Sequence, residues 1–213
     1  MIGDSFHRPN AASSALRPML TKIRLRNFRG FSDHELPILP LTLIVGRNNA
    51  GKSTIIEALR FIALATARYQ TVSYIDPPAD LDVPDTFRGI SPSLRDIDFD
   101  RLNLFYRYGS PPAIIQADFA NAGSIVVYLY SADDLFIVIR NSRGQIIQSL
   151  PQAKALQLPR INILAQVSPV AATEENLDET YVRRSVSSSR SSIHFRNQLK
   201  IFKNNFPYFK QLC

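Results

Sequence analysis

Residues 41–67, LTLIVGRNNAGKSTIIEALRFIALATA, decide how this chain reads. Leu41, Thr42, Leu43, Ile44 and Val45 form a short apolar, β-branched run ending in glycine, the pattern of a strand buried on both faces. Over 53–67, Ile55, Ile56, Leu59, Ile62, Ala63 and Leu64 recur at helical spacing. The order is strand, tight loop, helix. Between them, Gly46, Arg47, Asn48, Asn49, Ala50, Gly51, Lys52, Ser53 and Thr54 satisfy G-x-x-x-x-G-K-[ST], the Walker A pattern. Each fixed residue has a physical task. Gly46 and Gly51 permit backbone geometry and close approach that a Cβ would block. Successive loop amides then turn inward as an anion nest for a β-phosphate, and the positive end of the following helix adds to that field. Lys52 is a point charge for the β- and γ-phosphates and so a candidate catalytic residue. The Ser53 hydroxyl suits Mg²⁺, which prefers oxygen donors in an octahedron, and Thr54 is placed for the α-phosphate. The guanine-selecting N-K-x-D is absent, and 85–89 (DTFRG) is one residue too long for a D-x-x-G switch. ATP with Mg²⁺ is the expected ligand.

Working outward, residues 21–31 (TKIRLRNFRGF) alternate Ile23 and Leu25 with Lys22, Arg24 and Arg26, as a half-buried strand does. Residues 32–40 hold Pro37 and Pro40 and read as a connection. From 70 to 112, Pro77, Pro78, Pro84, Pro92, Pro111 and Pro112 predict a long irregular excursion with short helical turns. Runs at 113–119, 124–130 and 135–140, separated by turn residues, predict an antiparallel meander. Residues 160–165 read as a further buried strand. Thr173 is a candidate helix cap, with Glu174 and Glu175 in the first turn. The serine-rich stretch 185–192 reads as a joint. Phe195, Leu199, Phe202 and Phe206 form one apolar stripe on a helix near 193–206. The expected fold class is α/β: a P-loop NTPase lobe with a mixed sheet, an antiparallel meander and C-terminal helices. Residues 1–20 are expected to be a polar, poorly ordered leader and 21–170 the nucleotide-binding lobe. Residues 171–213 are expected to be a helical segment that starts an insertion or arm.

The totals narrow the function classes. Of 213 residues, 45% are hydrophobic and 20% charged, the balance of a globular chain able to bury a core. No run approaches the ~18 apolar residues of a membrane helix, and the N-terminus lacks the apolar core of a signal peptide. The single cysteine, Cys213, excludes an internal disulfide framework or a multi-cysteine metal site and fits the cytoplasm. A net charge of +7 makes DNA a candidate partner.

The stretch IRLRNFRGF at 23–31, the NNAGKST version of the loop and the EAL that follows resemble the N-terminus of ABC-type ATPase heads. These AAA-type ATP-binding heads occur in SMC, RecF and OLD-type nuclease proteins. The likeness is carried by residues 22–65. Further on, 161–169 (INILAQVSP) resembles the strand running into a Q-loop. The stretch through 193–199 (IHFRNQL) is similar to ATPase components of Septu-type antiphage systems. The resemblance implies that Gln166 contacts Mg²⁺ and the attacking water, and that Arg29 lies near the nucleotide, although a plain exposed strand-end arginine fits the residues equally. It also implies action in DNA repair or antiphage defence, as a homodimer or with a partner subunit.

Two motifs of such heads are missing here. No L-S-G-G-like signature occurs. The nearest imitation of a Walker B strand, 125–134 (IVVYLYSADD), reads better as a hairpin turn at Asp133 and Asp134. Without a carboxylate to polarise water, hydrolysis requires a general base from elsewhere, supplied by a partner that carries Walker B and signature elements or nuclease function. Two other readings stand beside this one. A small P-loop kinase or NTPase acting on a metabolite would use Arg88, Arg95, Arg101 and Arg107 as a lid. A truncated, non-enzymatic nucleotide-binding protein would need only the loop.

Overall fold

A computed structural model describes residues 19–48, 50–95, 97, 99–120, 122–163, 177–185, 197, 200 and 201. Strand β1 (Leu20–Phe28) buries Ile23, Leu25 and Phe28 and turns Arg24 and Arg26 outward, as its alternation requires. A two-residue turn at Arg29 and Gly30 sends the chain back as β2 (Phe31–Pro37), antiparallel to β1 with Phe28 opposite Phe31 and Lys22 opposite Pro37. The stretch from 32 on, expected to be a connection, is therefore strand as far as Pro37. Its residues Ser32, Asp33, His34 and Glu35 carry no alternation because the strand lies on the outside of the sheet. Register with β1 holds it there, without a buried face of its own.

The meander forms as read. Strands β3 (Ala113–Phe119), β4 (Gly123–Leu129) and β5 (Leu135–Arg140) pair in sequence, and β3 also pairs with β1. The sheet order is β2-β1-β3-β4-β5, antiparallel throughout. The fold is α/β, but the sheet is not mixed among the described residues. Residues 41–45, expected to be a strand buried on both faces, are irregular and solvent-exposed: Leu41 is 90%, Leu43 83% and Val45 77% accessible. An apolar run becomes a buried strand only where neighbours pair with it and cover it. None among the described residues does so.

Helix α1 (Lys52–Arg68) lies on one face of this sheet. Ala58, Phe61, Ile62, Leu64 and Ala65 join Ile23, Leu25, Ile115, Ala117, Ile125, Val127, Ile137 and Ile139 in one core. Phe61 meets Phe28 edge-on at 6.3 Å and Phe99 at 5.0 Å. Burying an aromatic or aliphatic side chain of this size stabilises by about 1.5–3 kcal/mol, so this face dominates the stability of the domain. Ile56, placed by periodicity on the apolar stripe, stays 44% exposed.

The proline-rich excursion is irregular, as expected; Ile90, Leu94, Ile97, Phe99 and Leu104 join the core shared with α1, while its earlier part covers the opposite face of the sheet. Leu81, Val83 and Phe87 pack there against Phe136 and Val138. Single bridges join Ile75 to Gly89 and Ile90 to Ile137. Gly89 must be glycine at this crossing, because a Cβ would run into the Ile137 carbonyl.

Helix α2 (Leu150–Ala155) follows β5. Residues 160–163, expected to begin a buried strand, are irregular, and 164–165 lie outside the described residues. So do residues 1–18 of the expected leader, the candidate cap Thr173 with Glu174 and Glu175, residues 186–192 of the serine-rich stretch, and the four stripe phenylalanine and leucine positions. Helix α3 (Glu179–Ser185) begins after Asp178, whose carboxylate accepts from the Thr180 amide at 3.2 Å and whose carbonyl accepts from Val182 at 3.0 Å. Asn197, Lys200 and Ile201 of the expected 193–206 helix are helical.

Candidate phosphate-binding site

Gly51 stands immediately before α1 with φ 87° and ψ 7°, in the left-handed region that glycine enters without strain. This conformation turns the loop sharply into the helix. The first amides of any α-helix lack intrahelical acceptors, and the helix dipole concentrates positive potential there. In α1 no side chain caps that end and its first turn holds no acidic residue. The positive end is therefore left without compensation from the helix itself. At the other end Arg68 sits in the last turn and complements the dipole.

Lys52 completes the arrangement. Its Nζ donates to the carbonyls of Gly46 and Arg47, both at 2.7 Å, so the ammonium bridges the start of the loop. The Ala50 amide donates to the Arg47 carbonyl at 3.2 Å and closes the bend between them. A cation held by two neutral carbonyls next to an uncapped helix start fits a polyphosphate. Exchanging a neutral carbonyl for an anionic phosphate oxygen adds charge–charge attraction to the hydrogen bonds the ammonium already makes. Ser53 lies at the second helical position and is exposed, where its hydroxyl suits Mg²⁺. The structure thus brings together Gly46, Arg47, Asn48, Ala50, Gly51, Lys52, Ser53 and Thr54. Asn49 and Gln166 lie outside the described residues.

Side chains far upstream support this loop. The Phe31 ring packs on Gly51 so closely that a Cβ there would stand 2.7 Å from its Cζ. His34 stacks on the same ring, with centroids 5.2 Å apart and planes 20° from parallel. Arg29 is neither an exposed strand-end arginine nor free to reach far. It forms an ion pair with Glu57, at side-chain exposures of 13% and 17%. The facing atoms, Arg29 Nε and Glu57 Oε2, touch as charges without hydrogen-bond alignment and have no other hydrogen-bond partner among the described residues. The rest of the guanidinium donates to the carbonyls of Leu102 at 3.2 Å and Asp100 at 2.5 Å. Asn27 extends the same anchoring. Its Nδ2 donates to the carbonyls of Ser110 (2.8 Å) and Pro112 (3.0 Å), and its Oδ1 accepts from the Tyr106 amide at 3.2 Å. The NFRGF stretch is therefore a hairpin end clamped between the loop 100–112 and the first turns of α1. The pairs that tie this stretch to the loop 100–112 and to α1 cross 20 to 85 positions and have no local signature.

Other candidates are accounted for locally. Asp133 and Asp134 sit in the β4–β5 turn as read: Ser131 Oγ donates to Asp134 Oδ2 at 2.9 Å, and Asp133 pairs with Arg101 at 3.0 Å. Arg88 is held by Asp76 at 3.0 Å, and Arg107 lies over the Tyr106 ring at 5.2 Å. The basic face of β1 is largely neutralised. Lys22 contacts Asp118 at 3.3 Å and Glu35 at 3.4 Å, which hold its ammonium above the ordinary lysine range. The Arg24 guanidinium grips Asp33 at 2.7 and 2.8 Å and keeps that carboxyl below its usual value. No helix among the described residues is long and apolar enough to cross a membrane.

Comparison with protein families matches residues 19–208 to the AAA ATPase domain. Among curated proteins, an OLD nuclease from Thermus scotoductus is 48% identical over 44 residues. That stretch is 21% of this chain and 8% of the relative's length.

Proposed function

This chain belongs to the AAA ATPase domain family, and from that premise we propose that it is an OLD- and SMC-like member that binds ATP and Mg²⁺ at residues 46–54, as the nucleotide-binding part of an ATPase acting in DNA repair or antiphage defence. The observation that carries the site is the Lys52 ammonium bridging the Gly46 and Arg47 carbonyls beside an uncapped helix start. On binding, the ammonium shifts from these carbonyls to the β- and γ-phosphate oxygens. The amides of 52–54 orient the chain of phosphates, and the turn at Gly51 fixes their direction. Ser53, with Gln166 as the expected second contact, would hold Mg²⁺, which supplies neutralisation of phosphate charge when bound.

Cleavage needs a positioned water and a base, and the turn acids Asp133 and Asp134 are engaged elsewhere. We therefore assign hydrolysis to an assembly in which a partner provides the Walker B and signature elements; a homodimer of these residues alone would bring two nucleotide sites together and still lack the base. The exposure of 41–45, an apolar segment running straight into Gly46, supports an additional strand pairing there. The nuclease named in the OLD relative supports a role on DNA, and the composition supports the cytoplasm. A kinase-like lid is disfavoured, because Arg88 and Arg101 are held in ion pairs on their own surface.

The test is equilibrium binding of a fluorescent ATP analogue with Mg²⁺ to the wild-type chain and to Lys52→Ala. Lys52 is surface-placed, so Lys52→Ala keeps its circular dichroism spectrum and loses binding. A folded Lys52→Ala that retains wild-type affinity overturns the assignment.

A further inference from the structure

Two contacts join the first hairpin to α1. The Arg29–Glu57 ion pair fixes the helix about 7.5 Å of rise beyond Lys52, and the Phe31 ring fixes its very start at Gly51. We propose that Phe31 is a positioning residue for the nucleotide loop, acting through Gly51. This rests on the reading of 46–54 as the phosphate site.

Glycine is the residue least able to hold its own backbone angles, since it populates both signs of φ with little bias. At φ 87° Gly51 nevertheless sets the direction in which the amides of Lys52, Ser53 and Thr54 point. Something outside the loop must hold it, and the ring of Phe31 occupies the volume a side chain on Gly51 would take. Positions 2.7 Å and 3.0 Å from its Cζ and Cε2 leave no slack. The ring is held in turn. His34 stacks on it, and Phe31 opens β2 opposite Phe28, itself fully buried. A phenylalanine wedge between the sheet and the loop therefore converts the rigidity of the hairpin into fixed amide directions at the phosphate site. The second tie at Glu57 prevents α1 from pivoting away from the wedge.

The test is a double-mutant cycle on ATP binding to the full chain, read beside amide hydrogen exchange at 52–54. Phe31→Ala is expected to weaken ATP affinity about tenfold and to reduce selectively the exchange protection that bound ATP gives the 52–54 amides, since small misplacements of aligned groups cost up to about 100-fold. Gly51→Ala introduces the methyl that meets the ring, so it is expected to lose affinity severely in the wild-type background. In Phe31→Ala the ring is absent, and the further loss from Gly51→Ala is expected to shrink at least about threefold, as coupled neighbours require. If Phe31→Ala does not fold, Phe31→Leu keeps apolar volume without the flat wedge and gives the same selective exchange signature. Additive losses in the cycle, or folded variants with wild-type affinity and exchange, overturn the proposal. Lys52→Ala separates the two levels. If it also binds ATP normally, the site assignment fails. If it abolishes binding while the Phe31 variants bind normally, only the positioning role fails.

Discussion

Replacing Glu57 by glutamine removes one charge from the ion pair that ties α1 to the hairpin turn and leaves the shape almost unchanged. Breaking a buried pair by removing one partner costs about 3–5 kcal/mol when the survivor is left bare. Here it is not bare. Arg29 keeps the Asp100 carboxylate at 3.6 Å and the two carbonyls of Leu102 and Asp100. The pair is also slightly wetted, at 13% and 17% exposure. Both corrections lower the cost to about 2 kcal/mol, on the order of half the bare value. In a domain of this size that corresponds to a fall of about 4–8 °C in Tm. The assay is urea or thermal unfolding of the wild type, Glu57→Gln, Arg29→Met and the double variant. A coupling energy of at least about 1 kcal/mol is expected, and Arg29→Met with Glu57→Leu together should cost less than Arg29→Met alone, because the double change strands no charge. A Glu57→Gln variant within about 0.5 kcal/mol of the wild type, or a cycle with no coupling, would refute the reasoning and mean that water screens the pair.

Leu43→Lys tests the segment before the loop. At 83% exposure the leucine contributes no packing, so unfolding free energy should change by less than about 0.5 kcal/mol while binding of an apolar dye falls; a loss above 1 kcal/mol would mean Leu43 is packed. Stability should also depend on pH at both ends. Asp33 is held low by Arg24, so its contribution is present above the ordinary carboxylate range and is lost as pH falls through the depressed value; Asp33→Asn should flatten the acid limb of urea unfolding. Burial pushes the Tyr128 hydroxyl up, so its contribution is present below the ordinary tyrosine range and is lost as pH rises through the raised value; Tyr128→Phe should flatten the alkaline limb. Unchanged limbs would remove these groups from the account.

Much of this was legible in the residues because it depends on near neighbours. The alternation of β1, the three meander strands, the 53–67 helix and the Gly-Lys-Ser geometry at its start are all short-range patterns, and the structure has them within a residue or two, except that β1 ends at Phe28 where the reading ran on to Phe31. Two errors share one cause. Residues 32–37 are polar yet form a strand, and 41–45 are apolar yet do not. In each case pairing partners outvote composition: β1 is there to receive 32–37, and 41–45 has no neighbour among the described residues. The supports of the candidate site were invisible for a related reason. Phe31 and Gly51 stand 20 positions apart, as do no residues that periodicity can connect, and Arg29 finds Glu57 only once the helix has docked on the sheet.

The two margins of the sheet carry a final consequence, for association. At one margin β2 presents the polar Asp33, His34 and Glu35, its acids paired with Arg24 and Lys22, and ends in Pro37, whose missing donor disfavours an incoming strand. At the other, β5 is already stapled. Ile90 exchanges hydrogen bonds with Ile137 at 2.9 and 3.0 Å, and the Ile147 amide donates to Ile139 at 2.8 Å. Both rims of the described sheet are thus guarded against stacking into ribbons. Adhesion between chains is steered away from the sheet and toward 41–45, the exposed stretch that leads into the 46–54 loop, so whatever seats itself there arrives beside the candidate phosphate site.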